Sequence, residues 1–150
     1  MRNWLSILLL LLLTTATQAD ELQPVVFTDQ WGHEQRLTSN TELIIFSHHK
    51  DGSAWVKQAL QAIEISSMDD HHWLYVANIS GMPTLITKLF AIPKMRNYAF
   101  PIALVTDNTV VEAWPKKNGF VAIYSLNNLA IESVEYFNSV DAVRLYLESK

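Results

Sequence analysis

The chain contains no cysteine. That absence excludes disulfides, thiol nucleophiles and thiolate metal sites together. Glycine and proline are scarce, 4 and 5 in 150 residues, and no glycine-rich loop that could cradle a phosphate is present. Charge is also sparse: 17% of residues are ionic and the net charge is −4. A mildly acidic chain without a basic run argues against nucleic acid as a general partner. No apolar run reaches the roughly 20 residues needed to cross a bilayer.

One dense apolar stretch is present at the N-terminus. Arg2 precedes a leucine-rich core from Leu5 to Leu13, broken only by Ser6. Thr17 and Ala19 then place small residues where a signal peptidase reads. The expectation is a signal peptide over residues 1–19, cleaved after Ala19. An uncleaved interfacial anchor is the alternative. No cysteine follows the core, so a lipid anchor on such a residue is excluded. Residues 20–150 then form one domain, long enough to bury a core. An exported domain without disulfides suits a bacterial periplasm, and no stable membrane anchor is expected after cleavage. Asn78-Ile79-Ser80 matches the N-glycosylation pattern by spacing alone.

Hydrophobic patterning sets the element order. Val25-Val26-Phe27 and the run after Arg36 suggest a small hairpin turning at Asp29 and Gly32. Leu43-Ile44-Ile45-Phe46 is a continuous apolar run, as in a strand covered on both faces. Val56, Ala59, Leu60 and Ile63 recur at helical spacing, with Asp51 or Ser53 as the expected cap. Trp73 to Ile79 reads as a second core strand. Leu85, Ile86, Leu89, Phe90 and Ile92 form an apolar helical face. Pro93 predicts a kink or break there, with a separate piece over 94–98. Ile102 to Val105 reads as a third strand, and two more runs join in a hairpin at Asn127-Asn128. Asp141 to Leu147 closes the chain as a helix.

This order, with Pro101 directly before the third core strand, resembles the thioredoxin-like superfamily. Phe27-Thr28-Asp29 with Gly32 is similar to the entry of its extracytoplasmic and peroxiredoxin-like branches. The resemblance implies an α/β three-layer sandwich: a mixed central sheet flanked by helices, with an N-terminal hairpin. It also implies that the C-terminal hairpin supplies both edge strands. In that family two reactive cysteines open the first core helix. Asp51 and Ala54 stand at the matching positions, so thiol-disulfide exchange and thiol peroxidase chemistry are excluded. The resemblance further implies a cis peptide bond before Pro101 and a peptide groove beside it. Backbone pairing in such a groove needs no thiol.

Two histidine pairs are the remaining chemistry. A joint site for His48-His49 and His71-His72 fails on geometry. In the fold that the resemblance implies, they flank opposite ends of parallel neighbouring strands, about 15 Å apart at ~3.3 Å per residue. His48, His49 and Asp51 could converge alone on a transition metal such as zinc or copper. Asp69, Asp70, His71 and His72 could make a surface site, and His33 has no evident partner. Ser47 or Ser53 beside His48 or His49 could be read as a hydrolase site, but no nucleophile motif supports it. Trp55 lies off the buried stripe, either facing a partner or covering a neighbouring element. Lys116-Lys117 with Lys94 and Arg96 form a small basic patch or scattered surface charge. The preferred reading is a redox-inactive binding or accessory module for a protein or peptide, without cofactor. Its contact residues are His48, His49, Asp51, Ala54, Trp55, Phe100 and Pro101. A metal-binding protein using His48, His49 and Asp51 is the alternative.

Overall fold

The computed structural model describes residues 20–150. The export signal expected over 1–19 lies outside them. Seven strands form one mixed sheet in the order β2-β1-β5-β4-β3-β6-β7. β1 (Val25–Thr28) and β2 (Glu34–Leu37) make the expected antiparallel hairpin. β3 (Leu43–Ser47), β4 (Trp73–Asn78) and β5 (Ala103–Val105) are parallel neighbours. β6 (Val121–Asn127) runs antiparallel to β3, and β7 (Ala130–Phe137) closes that side. One edge, β7, comes from the C-terminal hairpin. The other is β2, so the expectation that both come from that hairpin is corrected.

Alternation along the strands builds two cores. Leu43, Ile45, Tyr75, Ala77, Ile102 and Ile123 pack on one face against Val56, Ala59 and Leu60 of α1 (Lys50–Ala62). Val143 and Leu147 of α3 (Val140–Glu148) join the same core. Ile44, Phe46, Leu74, Val76, Ala103 and Tyr124 pack on the other face. There they meet Val111 and Trp114 of the segment between β5 and β6, and Leu22 from the start of the domain. The Tyr124 hydroxyl donates to the Pro115 carbonyl and fastens that segment. The β6–β7 turn falls at Asn128-Leu129, one residue later than expected. Both residues have positive φ, 51° and 71°, as a two-residue hairpin of this kind requires. Leu129 tolerates this strained conformation with its side chain buried.

The second helix departs most from expectation. Thr84–Ile86, the π-turn Thr87–Ala91 and Ile92–Met95 follow without a break and together form α2. Pro93 therefore does not end the helix. The π-turn immediately before it alters the hydrogen-bond ladder where a proline lacks an N–H and crowds the preceding turn. The apolar face is also turned outward. Leu85, Ile86, Leu89 and Phe90 are 67%, 45%, 57% and 64% exposed, while Thr87 is buried.

Candidate functional site

The C-terminal ends of β3 and β4 and the start of α1 form one pole of the sheet. Strand alternation sends Ser47 toward α1, onto the same face as Ile45. Its hydroxyl lies 2.9 Å from Ser53 Oγ and 3.2 Å from the Tyr75 hydroxyl. This buried hydroxyl cluster closes the core under the first turn of α1. Burial pushes the Tyr75 phenol up to about 12, so it stays protonated. No imidazole hydrogen-bonds these serines among the described residues, which leaves the hydrolase reading without a base.

The His48 and His49 rings meet edge-on, with centroids 5.2 Å apart, but each packs on a different neighbour. His48 stacks on Phe46, with centroids 5.8 Å apart, and donates from Nε2 to the Lys117 carbonyl at 3.2 Å. Its pKa is lowered, chiefly by burial. His49 is the N-cap of α1 in extended conformation, φ −150° and ψ 162°, but its side chain makes no cap bond. The cap expected of Asp51 or Ser53 is therefore corrected. Ser53 is committed to Ser47, and Asp51 is exposed in the first helical turn. The His49 ring turns instead over Gly52, where an added Cβ would meet its Cε1 at 2.6 Å. Trp55 meets the His49 ring edge-on at 5.6 Å and is half-buried against the core, so it covers a neighbour. Both His49 ring nitrogens are buried without a hydrogen-bond partner. Among the described residues, no three His, Asp or Glu side chains are placed to share a metal ion.

The other predicted residues fall as follows. Ala54 is half-buried on α1. Phe100 is interior, 2% exposed, with its ring beside Tyr98 and Tyr75, so it cannot offer that ring to a partner. No cis peptide bond occurs among the described residues, so the expected cis bond before Pro101 is corrected to trans. Gln30, unremarked in the sequence, holds this segment. Its buried amide donates to the Phe100 carbonyl at 2.8 Å and accepts from Ile102 N–H at 2.7 Å. Arg96 Nε donates to the Gln30 carbonyl at 2.8 Å. The two histidine pairs lie at opposite ends of β3 and β4, as reasoned, because Leu43 pairs with Trp73. His71 stacks on Trp73. The backbone N–H of His33 donates to Asp29 Oδ1 at 3.0 Å, while its exposed ring stands 3.9 Å from Asp29 Oδ2. The Asn78 amide donates to Asn108 and its oxygen accepts from Ser80.

A cleft of ≈ 700 Å³ opens between α1, the loop after β4 and the inner side of α2. Lys50, Ser53 and Lys57 line it from α1, Asn78 to Met82 from the loop, and Ala91, Lys94 and Met95 from α2. His48, His49 and Asn108 complete its wall.

No family model and no curated protein matches the chain. Solved structures do. Peroxidoxin BcpB from Mycobacterium tuberculosis aligns at 12% identity over 88% of this chain and 96% of its own, with a TM-score of 0.56. The fold is thioredoxin-like. A putative thiol:disulfide interchange protein DsbE from Chlorobium tepidum aligns at 11% identity over 88% of this chain and 93% of its own, TM-score 0.55. The pneumococcal exposed lipoprotein thioredoxin Etrx1 from Streptococcus pneumoniae gives 12%, 85%, 100% and 0.54. At these identities the likeness concerns the fold alone. With no cysteine in it, this thioredoxin-like chain has no thiol of its own for redox work.

Proposed function

We propose that the protein is an exported, periplasmic, redox-inactive thioredoxin-like module. It binds a protein or peptide partner at the pole of His48, His49, Asp51, Ala54 and Trp55. The carrying observation is the outward apolar face of α2, with Leu85, Ile86, Leu89 and Phe90 in the open. Contiguous exposed apolar surface of this kind marks interaction sites in soluble domains. The inner side of the same helix lines the cleft at the pole, so one partner can span both. The leucine-rich stretch ahead of Asp20 supports export. No helix among the described residues is long and apolar enough to cross a membrane.

The test is photo-crosslinking in cells from positions 54 and 90, followed by mass spectrometry. The expected result is a discrete partner from both positions, lost in the Leu85→Ser/Phe90→Ser variant. Both side chains are exposed, so the unfolding free energy should move by no more than about 0.5 kcal/mol each. A folded, exported protein that crosslinks to nothing would sink the proposal.

A further inference from the structure

The cleft beside α1 is unusual in its charge. Lys50, Lys57 and Lys94 line it, together with His48 and His49, and no Asp or Glu does. This is not simple proportion, because the chain as a whole carries more acids than bases. The whole stretch 71–106, which supplies two of the walls, contains no carboxylate. Lys57 is half-buried, and its ammonium lies 5.3 Å from the Tyr98 ring centroid. Neither Lys57 nor Lys94 forms an ion pair among the described residues. Burial, then repulsion from Lys94, holds the Lys57 pKa below its usual value. Half-buried Lys57 and exposed Lys94 thus present two like charges to one space without a carboxylate between them. Ile79, Met82, Ala91 and Met95 supply apolar lining beside them, and Ser53, Asn78, Ser80 and Asn108 complete the wall with neutral polar groups.

We propose that this cleft is a binding site for a carboxylate on an apolar stem. Lys57 and Lys94 grip the carboxylate, and the methionines and Ile79 receive the stem. Charge-assisted hydrogen bonds are the stronger kind, and a bound carboxylate offsets the repulsion between the lysines. Thioether side chains adapt to stems of different shape. Such a carboxylate can belong to a small organic acid or to the free C-terminus of an apolar peptide. The site lies at the pole where the partner reading also places its contacts, and deepens that reading by naming the chemistry the cleft takes.

Octanoate is the first probe, titrated calorimetrically into the full chain, with octanol as its uncharged counterpart. A short apolar peptide with a free C-terminus and its amidated form are the second pair. Octanoate should bind saturably and octanol far more weakly. Lys57→Gln/Lys94→Gln should lower carboxylate affinity by about tenfold or more, whereas exposed Lys88→Gln should leave it unchanged. A peptide that binds more tightly than octanoate, and fails when amidated, assigns the carboxylate to a chain terminus. Octanoate binding with a silent peptide assigns it to a small acid. The proposal is overturned if neither carboxylate binds, if octanol matches octanoate, or if the double lysine variant, folded by circular dichroism, binds as the parent does. Octanoate binding in a chain that crosslinks to nothing would reject the partner reading and leave this one standing.

Discussion

Gln30→Met tests whether one buried amide holds the loop that enters β5. Methionine keeps the length and approximate volume of glutamine and removes both polar atoms. Two bonds of good geometry are lost, to the Phe100 carbonyl at 2.8 Å and from Ile102 N–H at 2.7 Å. The contact from Gln30 to the Met95 carbonyl, at 3.4 Å, is too long to weigh heavily. Each bond leaves behind a backbone group with no substitute, because Phe100 and Ile102 are 2% and 0% exposed. A buried orphan costs about 1–3 kcal/mol, so the pair costs about 2–6, offset by the better transfer of methionine. The expected loss is about 3 kcal/mol, or roughly 10 °C in Tm for a domain of this size. Urea unfolding followed by tryptophan fluorescence measures it, and an unchanged m-value confirms that only stability moved. Gln30→Glu sharpens the test. It keeps the acceptor for Ile102 N–H but turns an oxygen toward the Phe100 carbonyl, so it should be no better than methionine. A Gln30→Met protein within about 0.5 kcal/mol of the parent would refute the reasoning.

Gly52→Ala should destabilise by about 1 kcal/mol. Overpacking against the His49 ring costs about 1–3, and alanine's helical advantage over glycine returns about 1. In a His49→Ala background the same change should become stabilising, so strictly additive effects in the double-mutant cycle would reject the contact. His48 predicts a pH dependence. Burial is the largest cause of its lowered pKa; the bond to the Lys117 carbonyl opposes it, and His49 and Lys116 add to the lowering. The unfolded chain then takes up a proton near 6.5 while the folded chain still refuses it. Stability is thus complete above 6.5, falls as pH drops from there through the folded pKa, and levels off below it. His48→Gln should flatten that slope, measured as chemical unfolding between pH 5 and 8 in roughly half-unit steps. An unchanged slope would show that other groups carry it.

Much of the sheet was legible because its strands read as unbroken apolar runs, and Leu43 to Phe46 has no other comfortable place than a covered interior. The hairpin at Gly32 was legible for a similar reason, since φ of +85° selects glycine. The α2 face was legible as apolar, but not the direction in which it points. An apolar helical stripe tells that a face seeks cover, not that this chain provides it. Of the kink or break expected at Pro93, the break is absent because a π-turn accommodates the proline, and that tertiary accommodation has no signature in the residues themselves. Gln30 was invisible for the same reason: its partners lie 70 and 72 positions away. The absence of carboxylates over 71–106, by contrast, stood in the sequence. It acquired meaning only when the fold brought Lys94 across from Lys57.

A thioredoxin-like pole without cysteine keeps its electrostatics even though it cannot keep its chemistry. A helix N-terminus carries partial positive charge from its unsatisfied N–H groups, and in this fold that end opens on the pole. Here no side chain caps α1, and Asp51 stands exposed outside the cleft lining. Lys50, Lys57 and Lys94 then add full charges to the same side, with no carboxylate in the lining to balance them. A surface needed only for solubility would spread such charges apart. Concentrating them beside apolar side chains is useful only if something negative and partly apolar spends time there. On the proposed reading, the charge of this pole serves an anion that arrives from outside.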